Sequence, residues 1–250
     1  MKRLFLLVPL MAAAACTKGD SNHQVTQEEY DDVAQAVAST AATGNGGGDV
    51  GSMADSASLA TGVMPAGLAV DVSGHVTGSR FGLSYDYRLA CSDASGAAQD
   101  ACDATTDRAE VTLSWSGTLN LSHVQASIQR SGDWTLTGLQ SNAPMFNGQG
   151  TFQFDISVQS IFRPVTASYH LDYAADYAQI ALDPGHRPKG GTIHYSIAAE
   201  HMVTNGGSTS TATFDLDAVV TFHADGTATI VLDGSHTYQL DVATGAVERG

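Results

Sequence analysis

The chain is poor in positive charge. It carries 11 Lys and Arg against 26 Asp and Glu, and lysine occurs only at positions 2, 18 and 189. Affinity for phosphate depends on clustered Lys and Arg, so this balance excludes nucleic acid as a partner and sets the protein against acidic membrane surfaces. Cysteine is scarce as well: there are 3, at Cys16, Cys91 and Cys102, and the last two are too far apart for a Cys-x-x-Cys redox centre. No Gly-x-Ser-x-Gly elbow, His-Glu-x-x-His, Ser-x-x-Lys or phosphate loop is present, and no glycine motif follows a strand as a dinucleotide fingerprint must. No cofactor is expected, and the expected role is non-enzymatic.

What is present begins at the N-terminus. Lys2 and Arg3 precede an apolar run from Leu4 to Met11, broken at Pro9, and four alanines close at Ala15. That is the charged, apolar and small-residue order of an export signal, and its apolar run is far shorter than the roughly 20 residues of a spanning helix. With Cys16 directly after Ala13, Ala14 and Ala15, "MAAAACTKGD" resembles a bacterial lipobox, although Ala13 stands where leucine is usual. The resemblance implies cleavage before Cys16 and acylation of its sulfur, palmitate being one such chain. Each buried CH₂ contributes about 0.8 kcal/mol, so two or three chains hold a protein on a bilayer durably. Thr17, which is not aspartate, directs the expectation to the outer membrane, with its periplasmic or surface side open. A plain secretory signal is the alternative. Removing the leader leaves 9 basic residues and a formal charge of −17.

In an exported chain, Cys91 and Cys102 are expected to form a disulfide across "SDASGAAQDA", two free thiols or a metal pair being the alternatives.

The expected organisation is a signal peptide at 1–15, a lipidated tether at 16–25, a helix and Gly-rich linker at 26–62 and an antiparallel β domain at 63–250. "TQEEYDDVAQAVAST" predicts a helix: Thr26 and Glu29 form a capping box, Glu28, Glu29, Asp31 and Asp32 crowd the positive end, and Tyr30, Val33, Ala34, Val37 and Ala41 make an apolar stripe. "TGNGGGD" ends it, and a second short helix is expected over about 52–60. From Val63 the period becomes two. Phe152, Phe154, Ile156 and Val158 alternate with polar residues, as do Leu83 to Leu89, Val111 to Leu121, Tyr169 to Tyr173, Ile193 to Ile197, Phe214 to Phe222, Ala228 to Leu232 and Tyr238 to Val242.

These segments predict about ten strands. "NGGS", "HADGT" and "LDGSH" are turns too short for parallel crossovers, and Gly226 is expected in the left-handed position of a bulge. The expected fold is mainly β: an up-and-down antiparallel meander curled into a barrel, half-barrel or sandwich, with one N-terminal amphipathic helix covering an open end. An outer-membrane barrel is disfavoured by the lipobox, the absence of aromatic girdles and the chain end "VERG".

For chemistry, Asp215, Asp217 and Asp233 are expected to share one patch. A calcium site is weighed there against a solvated acidic face, and the solvated face is preferred. His170 with Asp172 and His194 is weighed as a zinc set and read as surface histidines, like His223. Trp115 and Trp134 are expected to pack the core. The leading reading is a lipid-anchored envelope protein with a binding or structural role. The alternatives are a carrier of an apolar ligand such as a lipid or acyl chain inside the barrel, and a hydrolase. The partner, protein or apolar small molecule, stays open.

Overall fold

The computed structural model describes residues 23–42, 48–80, 82–120, 124–141, 143–159, 166–205 and 208–250. The signal segment, Cys16, the tether up to residue 22, the linker centre at 43–47, Leu121 and the turn glycines at 206–207 lie outside them. The side chains of Val158 and Leu119 do so too.

Two helices, α1 (Gln27–Ala41) and α2 (Asp49–Ala60), precede a single open antiparallel sheet of thirteen strands. These are β1 (Leu68–Val70), β2 (Val76–Arg80), β3 (Leu83–Asp93), β4 (Ala98–Gln99), β5 (Thr106–Asn120), β6 (Val124–Thr137), β7 (Met145–Gln159), β8 (Thr166–Leu182), β9 (Pro188–Asn205), β10 (Ser208–Phe222), β11 (Thr227–Leu232), β12 (His236–Asp241) and β13 (Val247–Arg249). Each pairs with its sequence neighbour, except that β3 pairs with β5 and holds β4 off the main path. The meander is as expected, with three more strands than the periodicity marks, and it does not close.

The period-two stripes become the core. Tyr85, Tyr87, Leu113, Trp115, Phe152, Phe154, Tyr195 and Leu216 are all buried, because successive residues of a strand point to opposite faces. "HADGT" forms its hairpin with Gly226 at φ 87°. At Gln179 a bulge shifts the β8–β9 register, and a Cβ on the facing Gly191 would lie 2.4 Å from the Gln179 carbonyl oxygen. Glycine is therefore required there.

The helices depart from expectation. The Thr26–Glu29 capping box is present, and the second helix starts at Asp49, earlier than expected. Yet α1 is no half-exposed cover: 11 of its 15 residues and 9 of the 12 in α2 are buried, so both are enclosed on nearly all sides. They lie against the apolar face, with Ala, Ser and Thr at many positions allowing the sheet to approach closely.

Cys91 and Cys102 form the disulfide, with Cα atoms 5.4 Å apart, and close the loop that carries β4. Replacing both by serine is expected to lower stability by about 2–3 kcal/mol through the loop's gain in unfolded-state entropy. A urea midpoint shift equivalent to less than 1 kcal/mol would contradict this.

Candidate functional site

Enclosing the helices places their carboxylates inside the protein. Asp49 and Arg130 form an ion pair with both side chains fully buried. The Tyr177 hydroxyl donates to Asp49 Oδ1 at 3.0 Å, and Tyr195 donates to Oδ2. The Arg130 guanidinium stands over Phe152 at 4.2 Å and Trp134 at 4.9 Å from the ring centroids, with Trp115 at 5.4 Å. Its Nε and Nη1 have no hydrogen-bond partner among the described residues. The ring faces supply that attraction instead. Burial raises the Asp49 carboxyl, against the pull of Arg130 and the two phenols.

The same device recurs along both helices. Asp55 pairs with Arg80, and Asp31 pairs with Arg249 and accepts from Tyr238 at 2.9 Å. Asp32 accepts from Tyr169 at 2.8 Å. Glu29 sits between His23 and His201, each at 2.8 Å. Burial alone would raise the Glu29 carboxyl; the Thr26 amide and the two imidazoles outweigh it and hold it below its ordinary value. Asp31 is lowered in the same way, burial being overcome by Arg249, Gln27 and Tyr238. These groups hold the helices in place.

The opposite face of the sheet is polar. Two adjacent rows cross seven strands, one from Ser84 through Gln129 and Asp172 to Asp215, the other from Asp86 through Ser131 and Ser196 to Asp217. Six strand gaps of about 4.8 Å make this crossing about 29 Å long. A trough follows these rows. Its main part, about 840 Å³, runs from β6 to β10 and ends at Asp233, and a cavity of about 380 Å³ continues it over β3 and β5. Small side chains form the floor, among them Ala174, Ser196 and Ala198. Ser131 and Thr151 share a hydrogen bond of 2.9 Å across neighbouring strands.

The residues singled out from sequence fall on or near this trough. Asp215 and Asp217 line it with Asp233, but they do not converge on a cation. Asp233 Oδ1 accepts from the Asp217 amide at 3.0 Å and its Oδ2 from the Tyr30 hydroxyl at 2.9 Å, so Asp233 fixes α1 to a hairpin. Burial and that carboxylate raise the Tyr30 phenol to about 12. Among the described residues no group of three or more His, Cys, Asp and Glu is placed to hold a metal ion.

His170 lies at the trough's rim, with Nδ1 2.9 Å from Asp155 and Nε2 3.7 Å from Asp172. The Asp155 hydrogen bond, then Asp172 and Glu200, raise its pKa above 6.5, so it keeps its proton where a free imidazole has begun to lose it. His194 pairs in register with Asp176, six residues further along β8 than His170, about 20 Å away, and shares no site with it. His223 Nε2 meets Thr229 Oγ1 at 2.8 Å at a hairpin end. Trp115 and Trp134 are buried, as expected.

Arg130 is the residue the sequence reading missed. It shares strand parity with Ile128 and Trp134, and a lone cation in an apolar stripe is a signal for a buried partner.

Comparison with protein-family models, with curated proteins and with solved structures finds no match to this chain.

Proposed function

We propose that the protein is a lipid-anchored component of the bacterial envelope, held through Cys16 at the outer membrane, that acts by binding along the trough and not by catalysis. The lipobox-like segment supports the address. The trough supports the mode of action: a polar surface about 29 Å long, built on the centres of long paired strands, is rigid and broad and suits an extended partner. The space that an apolar ligand would take on the other face is where α1 and α2 lie. A serine–histidine contact does exist, Ser58 Oγ to His186 Nδ1 at 3.2 Å. Among the described residues no carboxylate meets that imidazole, and the pair does not line the trough, so nothing orients it for nucleophilic work.

Two measurements test the reading. Cys16→Ser is expected to leave the β domain folded and move the protein from the membrane to the soluble fraction; a variant that stays in the membrane fraction overturns the anchor. A photo-crosslinking residue at Gln153, in the trough, is expected to capture a partner in intact cells where one at the exposed Gln239 does not. Equal capture at both positions, or none at Gln153, overturns the binding face.

A further inference from the structure

Over β6 to β10 the face that carries the trough has few basic side chains, whereas at its β3 and β5 end Arg88 stands 3.8 Å from Asp86 and Arg108 pairs with Glu110. Between residues 124 and 222 the described strands hold two Lys or Arg residues, Arg130 and Lys189; Arg130 points to the other face, fully buried, and the imidazole of His170 stands at the rim, 3.7 Å from Asp172. Asp172, Asp215 and Asp217 line the trough, and Asp155 and Glu200 stand beside it in register with His170. The Asp215 carboxylate has no hydrogen bond or ion pair among the described residues. Its charge faces solvent unspent, and water-exposed carboxylates on one wall of a groove draw oppositely charged ligands.

Spacing narrows the ligand. Asp172 and Asp215 stand in the same row with Ala198 between them, two strand gaps or about 10 Å apart. That is too wide for one ion to bridge and matches the distance between residues i and i+3 of a chain extended as polyproline II, whose three residues per turn, about 3.1 Å each, bring both side chains to one side. Every Phe, Tyr and Trp described on β5 to β10 is buried on the helix side, so the trough offers no ring on which a sugar would stack. A second copy of this chain is repelled by its own charge of −17 after loss of the leader.

We infer that the trough is a docking surface for an extended basic polypeptide segment, with lysines or arginines about three residues apart meeting Asp172, Asp215 and Asp217 over the Ala174–Ser196–Ala198 floor. This rests on the proposed binding role and adds the partner's chemistry to it.

The test uses the acylated mature protein in detergent micelles and a nine-residue (Lys-Ser-Thr)₃ peptide, about 30 Å long when extended, measured by calorimetry at about 0.15 M salt, where surface charges act only over about 8 Å. Binding is expected, with at least tenfold weakening in Asp172→Asn/Asp215→Asn/Asp217→Asn and less than twofold in Asp100→Asn/Glu28→Gln/Glu248→Gln, which removes the same charge elsewhere. Both variants are expected to keep the parent's urea midpoint, which shows that they fold. Equal weakening by the two sets, equal binding of the (Glu-Ser-Thr)₃ peptide, or no binding at about 1 mM overturns the inference. Full displacement of the peptide by spermine overturns the polypeptide in favour of a short polyamine. If the peptide fails while Gln153 still captures a partner in cells, the binding role stands and the partner's charge is what was wrong.

Discussion

Arg130→Met is expected to destabilise the protein by about 3–5 kcal/mol, the usual cost of removing one member of a buried ion pair. The substitution keeps an apolar stem of similar length, so the loss is not one of volume. It strips Asp49 of its counter-charge while both side chains' surroundings stay fully buried, and it removes the cation that the Phe152, Trp134 and Trp115 rings surround. Tyr177 and Tyr195 still donate to the carboxylate, which limits the damage. The companion variant, Arg130→Met with Asp49→Leu, Tyr177→Phe and Tyr195→Phe, takes all four polar groups away together. It is expected to recover at least half of the loss, since an apolar replacement of a whole buried ion pair is often neutral. Urea unfolding of the two variants beside the parent measures both effects. A single variant within 1 kcal/mol of the parent would show that the pair contributes nothing net, and a fourfold variant weaker than the single one would show that the polar network cannot be replaced by packing.

Much of this fold was legible in the sequence because a sheet with one buried face writes its pattern with period two. Parity alone assigns Phe152, Phe154 and Ile156 to the core, and each is buried. The hairpin turns followed from Gly and Asp chemistry. What parity does not convey is whether the sheet closes, because closure depends on what its apolar face must cover, and here it stays open. Asp31 and Asp32 read as favourable charges at a helix start, which they are by position. That they also face tyrosines of β12 and β8 is a tertiary fact with no local trace. The trough was half legible. The hairpin pattern groups Asp215, Asp217 and Asp233, which line one trough, but the rows that continue from them to Ser84 and Asp86 depend on the register of seven strands. Register across turns is not written in any one segment. Arg130 is legible in the sequence: a charge in phase with Ile128 and Trp134 contradicts the stripe around it, and such local contradictions mark buried polar networks.

Acid is expected to unfasten the helices before it melts the sheet's apolar packing. Glu29 and Asp31 have carboxyls held below 4.5 and 3.8, their ordinary values. A group lowered in the folded state contributes its full stability above its unfolded pKa and loses it as the pH falls through the lowered, folded value. The contribution of these two carboxylates should therefore be level from pH 7 to about 5 and decline below 4.5. The turn aspartates Asp71, Asp93, Asp103 and Asp225, lowered by hydrogen bonds from neighbouring Ser and Thr hydroxyls and amides, act in the same direction. Asp49 acts in the opposite one: a carboxyl raised by burial takes its proton in the folded protein before it does in the unfolded chain, which offsets part of the loss. Hydrogen bonds to charged groups contribute about 1.5–3 kcal/mol each, so losing those that Glu29 and Asp31 accept from Thr26, His23, His201, Tyr238 and Arg249 removes a large share of a stability that is about 5–15 kcal/mol in an ordinary domain. Urea midpoints measured from pH 7 to 2.5 should trace this decline, and Glu29→Gln/Asp31→Asn should start lower at pH 7 and decline less. A parent midpoint at pH 3 equal to that at pH 7 would show that these carboxylates do not hold the helices. A double variant as acid-sensitive as the parent would place the acid response in the turn aspartates.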